Sequence, residues 1–322
     1  MIKKLLQLSF VLSISLFALG GCKKESQQSL NADGQKYLML VQNDEDGFIK
    51  QIMQAAKQQA TNQGAELTIK SADGSSETQL AQLKAGIKAK YDAILCRPVD
   101  PDTAQEMEAI ANETPIVFFN SSPSTDLLRS NQFIYVGSSE LTAGKYQAEY
   151  ILEQFANKNE INVMVLRGED ANSAASQRTS ALVDTLEASD KKVNFVFNDT
   201  ANWDGEQAKK LVKIFLRTGQ PYDVLAANND GMALGAVQGF KEAGVSLPMI
   251  VGIDATTEAQ NAIKAGEMQF SVLQSGSEQG KYMTMAAAQL ANKKSLKEIK
   301  YSNKQETAIW VPLAKVDKSN AK

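Results

Sequence analysis

The chain contains no histidine. That excludes Ser-His-Asp and Cys-His catalysis, a histidine general base and histidine-ligated zinc. Cysteine is nearly absent as well: Cys22 and Cys96 are the only two in 322 residues, too few for a four-cysteine zinc site or a disulfide framework. Lysine and arginine are not in excess, and the formal net charge is −3. No basic face for nucleic acid is advertised, and no nucleic-acid partner is expected. No stretch rich in proline, glycine and serine divides the chain. What is present is a hydrophobic fraction of 43% against 22% charged residues, enough to bury a core and unlike a disordered chain. The length is too great for one ordinary domain and suits two.

One apolar run stands apart. Met1-Ile2-Lys3-Lys4 is followed by residues 5–19 without a charge. Two lysines ahead of a short apolar run are the layout of a secretory signal, placed at 1–21. The run is short of the roughly 20 residues that a membrane-spanning helix needs. It ends Leu19-Gly20-Gly21-Cys22, which resembles the bacterial lipobox. That resemblance implies lipidation at Cys22, and several acyl chains make a stable membrane anchor. Residues 22–35 are polar and aromatic-free, and read as the lipidated cysteine and a flexible tether. The body is therefore expected outside the cytoplasm, on the periplasmic side or at the cell surface. No ATP- or NAD-type cofactor is expected there. Cys96 lies in the apolar run 93–96 and reads as a small core residue.

From residue 37 onward, apolar segments alternate with amphipathic ones. Strands are predicted at 37–41, 66–69, 93–96, 116–119, 134–136, 161–166, 194–197, 224–227, 249–253, 270–273 and 307–311, with helices such as 48–63, 77–88, 104–112 and 205–217 between them. Repeated βαβ units give parallel sheets covered on both faces. Eleven strands exceed one such sheet. The fold class is therefore α/β, with two doubly wound parallel-sheet lobes joined by a three-crossing hinge. Residues 36–137 with 276–304 are assigned to the first lobe, and 138–275 with 305–322 to the second. Asp230 and Ser277 are expected as helix N-caps.

In open parallel sheets, ligands bind beyond the carboxyl ends of the strands. Those ends are polar here: Asp46 and Phe48 follow the first strand, Asn120 the fourth, Asn172 and Arg178 the sixth, Trp203 the seventh, Asn229 the eighth, Asp254 the ninth and Gln274 the tenth. Amides and carboxylates bond vicinal hydroxyls in pairs, and arginine adds a rigid fork. Phe48 and Trp203 can stack on the two faces of a sugar ring. Asp46 and Asp254 as the paired carboxylates of a glycosidase form the rival enzymatic reading.

The segments Pro115-Ile116-Val117-Phe118-Phe119-Asn120, Asp199-Thr200-Ala201-Asn202-Trp203-Asp204, Ala227-Asn228-Asn229-Asp230-Gly231 and Gly252-Ile253-Asp254-Ala255 together carry a family. The chain resembles the periplasmic sugar-binding proteins that feed ABC importers, type I periplasmic binding proteins, and within them the galactose/glucose-binding members. The resemblance implies a non-enzymatic, monomeric protein that closes two lobes on a monosaccharide, a galactose- or glucose-like hexose first, and delivers it to the permease subunits of an importer. It implies sugar contacts from Asp46, Phe48, Asn120, Asn172, Arg178, Trp203, Asn229, Asp254 and Gln274. Two departures stand out. Asn172 and Ala174 occupy places where the galactose/glucose members carry a histidine and an aspartate, and the run 172–178 with Gln274 is similar to the ribose-binding members. A pentose or inositol-type polyol is the alternative ligand, and presentation to a chemoreceptor or histidine kinase the alternative role. The galactose/glucose members also hold calcium in a loop that 155–162 is too short and too poor in aspartate to form, so no metal site is expected.

Overall fold

The computed structural model describes residues 31–43, 47–170 and 172–322. The leader, Cys22 and Asp46 lie outside the described residues. Two six-stranded sheets carry the fold. In the first lobe run β1 (Lys36–Val41), α1 (Gly47–Gln63), β2 (Glu66–Ser71), α2 (Ser76–Lys88), β3 (Ala93–Cys96), α3 (Ala104–Ala111), β4 (Ile116–Phe119) and β5 (Phe133–Gly137). The second holds α4 (Glu140–Gln154), β6 (Glu160–Arg167), α5 (Ser173–Glu187), β7 (Lys192–Thr200), α6 (Gly205–Leu216), β8 (Val224–Ala227), α7 (Asp230–Glu242), β9 (Met249–Val251), α8 (Thr257–Ala265) and β10 (Phe270–Leu273). The chain then returns through α9 (Gly276–Ala291) and β11 (Ala308–Trp310) to the first lobe, and ends with β12 (Ala314–Asp317) in the second.

The alternation of a strand decides which helices cover it. In β1, Tyr37, Met39 and Val41 point into one core with residues of α1 and α9, while Leu38 and Leu40 point into another with residues of α2 and α3. The same division holds in β6: Met164 and Leu166 meet α6, α7 and α8, whereas Val163 and Val165 meet α4 and α5. Strands buried on both faces read as continuous apolar runs, which is why AILC and IVFF lie wholly inside. Cys96 is buried as expected, and burial pushes its thiol pKa up.

Strand order is β11-β5-β4-β3-β1-β2 in one sheet and β12-β10-β9-β8-β6-β7 in the other. All pairings are parallel except β10 with β12. Each sheet starts in its interior and reverses direction there, between β1 and β3 and between β6 and β8. These are the switch points beside which open α/β sheets bind ligands.

Three features differ from the sequence reading. The segment 307–311, placed there in the second lobe, forms β11 in the first: Ile309 pairs with Val136 and Trp310 with Gly137. The third crossing therefore falls between Trp310 and Ala314, not before residue 305. The strand that makes it, β12, was not predicted; only Val316 of its four residues is buried, so it lacks an apolar run. The tether is also shorter than expected at its far end. Ala32 is buried and its N–H donates to the Gln63 carbonyl at 2.8 Å, with Gly34 to Gly64 at 3.1 Å, so residues 31–35 belong to the folded body.

Candidate functional site

A pocket lies between the lobes where the two sets of strand ends face each other. Phe48, Ile49, Arg97 and Asn120 line it from the first lobe, and Asn172, Ala174, Arg178, Trp203, Asn229 and Asp254 from the second. Of the described residues expected from sequence as sugar contacts, all but Gln274 line this pocket. Its free volume is about 30 Å3, about one water's share, so a larger ligand enters only if the two walls separate. It shares Asn120 and Asn172 with an adjoining cavity of about 930 Å3 that runs toward the hinge. Gln42 Nε2, at the end of β1, donates to Glu169 Oε2 in the opposite lobe at 3.2 Å.

The local backbone explains how these side chains converge. Asn120, Asn202, Trp203, Asp254 and Ala255 all have positive φ, from 48° to 114°. Non-glycine residues adopt that region rarely and at a cost, so the surrounding structure must hold them. Trp203 lies against Gly168: a Cβ there would sit 2.1 Å from the indole ring. The indole also stands 5.6 Å from the Arg178 guanidinium carbon. Trp203 Nε1 is buried and has no hydrogen-bond partner among the described residues.

Arg178 is almost fully buried, at 3% exposure. Its Nε donates to Glu140 Oε2 at 2.5 Å, Nη1 to the Asn228 carbonyl at 2.6 Å and Nη2 to Gln274 Oε1 at 2.9 Å. Gln274 Nε2 closes the ring by donating to Glu140 Oε1 at 3.1 Å. Asp254 Oδ1 is 3.9 Å from Nη1. Burial alone would lower the guanidinium pKa; the carboxylates of Glu140 and Asp254 outweigh it and raise the value. Gln274 is not among the residues lining the pocket; its bonds to Arg178 and Glu140 hold the guanidinium in place. On the other side, Arg97 Nε donates to Asn120 Oδ1 at 2.8 Å, and the buried Tyr135 hydroxyl donates to the Asn120 carbonyl at 3.3 Å.

Two of the polar residues serve twice. Asn172 Oδ1 accepts from Ala174 N at 2.9 Å and Asn229 Oδ1 from Met232 N at 2.9 Å, capping α5 and α7. The expected caps are thus corrected. Asn229, not Asp230, caps α7, and Ser275, not Ser277, caps α9. In each case it is the residue just before the helix that has extended φ and ψ and whose oxygen reaches back to the first free N–H groups.

Asp230 is buried below the site. It accepts from Ser271 Oγ at 2.7 Å and from Thr256 N at 2.7 Å. Burial raises its pKa to about 7, against the pull of those two bonds. Between about pH 4, the unfolded value, and pH 7 the folded chain keeps a proton that the unfolded chain has released. This carboxyl therefore makes stability fall as pH rises through that window. Asp230→Asn is expected to remove that part of the slope. Melting temperatures of the two proteins from pH 4.5 to 8 check it; parallel profiles would contradict the assignment.

Sequence reasoning missed Arg97, Ile49 and Glu140. Arg97 directly follows β3, so the strand-end rule applied to that strand would have found it. Glu140 reads as an ordinary acidic residue in the first turn of a helix.

A model of the periplasmic binding protein domain matches residues 37–295. The chain belongs to the periplasmic binding protein family. Among curated members, this periplasmic binding protein is 35% identical over 266 residues to a putative rhizopine-binding protein of Rhizobium meliloti, covering 81% of this chain and 82% of the other. It is 31% identical over 270 residues to the D-galactose/methyl-galactoside binding periplasmic protein of Haemophilus influenzae, covering 80% and 81%. Among solved structures, an ABC transporter solute binding protein from Bacillus halodurans with bound myo-inositol superposes with a TM-score of 0.80 at 27% identity, covering 90% of this chain and 97% of that one. The type I fold expected from sequence is the fold observed, and these relatives are binding proteins rather than enzymes.

Proposed function

We propose that this periplasmic binding protein captures a monosaccharide between its lobes and hands it to the permease of an ABC importer, with a galactose- or glucose-like hexose as first choice. The observation that carries the reading is the convergence of Phe48 and Asn120 from one lobe with Asn172, Arg178, Trp203, Asn229 and Asp254 from the other on one small pocket. Phe48 and Trp203 supply aromatic faces for the C–H surfaces of the ring. Arg178, the amides and Asp254 supply donors and acceptors for its hydroxyls, and the Trp203 indole N–H adds a donor that no described residue uses. A ligand that bonds both walls favours the closed arrangement by its differential contacts with the two states. Asp46 completes the proposed contact set from the first lobe, and Gln274 acts through Arg178.

A cyclitol is the second reading. It is favoured by the inositol-bound relative and by Ala174, whose methyl lines the pocket where the galactose/glucose members place a carboxylate. The signal at 1–21 and the cysteine at 22 support export and lipid anchoring; among the described residues no helix is long and apolar enough to cross a membrane.

A thermal-shift panel of galactose, glucose, ribose, xylose, xylitol and myo-inositol tests the reading. A cognate ligand at about 1,000 times its Kd adds about 4 kcal/mol, a rise of order 10 °C for lobes of this size. A shift with a hexose supports the first reading and a shift with myo-inositol alone the second. No shift with any of the six would overturn the assignment to simple sugars and polyols.

A further inference from the structure

The cavity of about 930 Å3 beside the inner pocket is far larger than the pocket itself. Asn120 and Asn172, one from each lobe, line both the pocket and the cavity, so a ligand held at these two amides borders the cavity. Trp310, the last residue of β11, also lines it. Trp310 is one of only two tryptophans in the chain and is 42% exposed. Its ring leans on Tyr135, with centroids 5.4 Å apart and planes at 57°. Tyr135 is buried and donates to the carbonyl of Asn120. An exposed indole is thus backed by a fixed ring whose hydroxyl reaches the backbone of an inner-pocket residue.

The rest of the lining narrows the chemistry. Pro101, Pro123 and Leu141 add apolar surface, and Ser173 and Ser176 add hydroxyls. Among the described residues, no lysine or arginine lines the cavity. Two of its acidic groups are already engaged: Glu140 by Arg178 and Gln274, and Asp170 by Arg167 and Thr200. Asp100 accepts from the N–H of Asp102. A phosphate or carboxylate would meet carboxylates here and no cation. A neutral ring with one apolar face and a hydroxyl rim meets an aromatic platform and polar edges.

We propose that the substrate carries a second, uncharged ring that lies outward of the inner pocket with one face on Trp310: a disaccharide, or a glycoside with a ring aglycone. This rests on the reading of the inner pocket as a sugar site and extends its ligand from the single ring held there to a two-ring glycoside.

Titration calorimetry on the full chain tests it, with galactose, glucose, phenyl β-galactoside, lactose and cellobiose as probes. At least one two-ring probe is expected to bind about tenfold more tightly than its parent monosaccharide, the weight of one aromatic contact. Trp310→Ala is expected to bring that ratio near one, and Trp310→Phe to keep most of it. Because Trp310 stands near a crossing, a second readout avoids replacing it. In Trp203→Phe, Trp310 is the sole tryptophan, and its emission is expected to shift with the two-ring probe and not with the monosaccharide. If a monosaccharide binds at least as tightly as every two-ring probe, the outward subsite is wrong and the sugar reading stands. If none of the five binds, both fall.

Discussion

Replacing Glu140 by alanine is expected to lower the unfolding free energy by about 3–5 kcal/mol, the loss typical when one partner of a buried ion pair is removed. The substitution leaves the Arg178 guanidinium almost wholly inside the protein with Asp254 at 3.9 Å as its nearest remaining carboxylate, and with Gln274 deprived of its own acceptor. A loss of this size corresponds to a melting temperature lower by roughly 10 °C for a lobe of this size. Glu140→Gln keeps the shape and one acceptor and loses the charge, so its effect should fall between alanine and wild type. The position has a second consequence. Glu140 opens α4 just after the first crossing, and Gln274 follows β10 just before the second. Arg178 is therefore tied to both connections at once, and ligand affinity should fall together with stability. Urea melts and ligand titrations of the two variants give both numbers; a melting temperature for Glu140→Ala within about 2 °C of wild type, less than 1 kcal/mol, would show that the pair is not structural.

Gly144→Ala is expected to be nearly as damaging, although it adds one methyl group. A Cβ at residue 144 would stand 2.1 Å from the carbonyl oxygen of Arg178. That atom is backbone and cannot rotate away, so α4 and α5 must separate along their contact. Overpacking of this kind costs about 1–3 kcal/mol and more for a larger group, which makes Gly144→Val the stronger variant. Because the obstructed residue is Arg178 itself, the displacement also moves the guanidinium relative to Glu140 and Asp254. Both variants should melt earlier and bind sugar more weakly. A Gly144→Ala protein that melts with wild type would mean that the two helices have more freedom than their packing indicates.

The parts of this architecture that were legible in sequence are those where burial on both faces writes a continuous apolar run. β1, β3, β4 and β8 are of this kind, and their limits differ little from expectation. β12 was not legible, because Ala314-Lys315-Val316-Asp317 buries one side chain and pairs at a sheet edge. Nor does the sequence of β11 say which sheet it joins; its register with β5 settles that. In the site, polarity at a strand end was a sound guide to position but not to task. Asn172, Asn229 and Asp230 are all polar residues after strands, yet two cap helices at the pocket wall and the third is buried beneath it. Gln274 and Glu140 illustrate the other limit. Their importance comes from meeting Arg178 across 96 and 38 residues of chain, and no local pattern reports such a meeting.

The three crossings also set an order of assembly. The second lobe is almost continuous in sequence: residues 138–273 contain all of its sheet but the edge strand β12. The first lobe is split. Its β1–β5 are made first, but α9, which packs on α1, β3 and β4, comes about 140 residues later along the chain, and β11, which pairs with β5, about 170. Until they arrive, the face of β1 bearing Tyr37, Met39 and Val41 lacks half its cover. The half that is synthesised first thus waits for its core cover until the core strands of the other half have been made. A chain stopped after residue 273 would hold one nearly finished lobe and one whose core stands open to water.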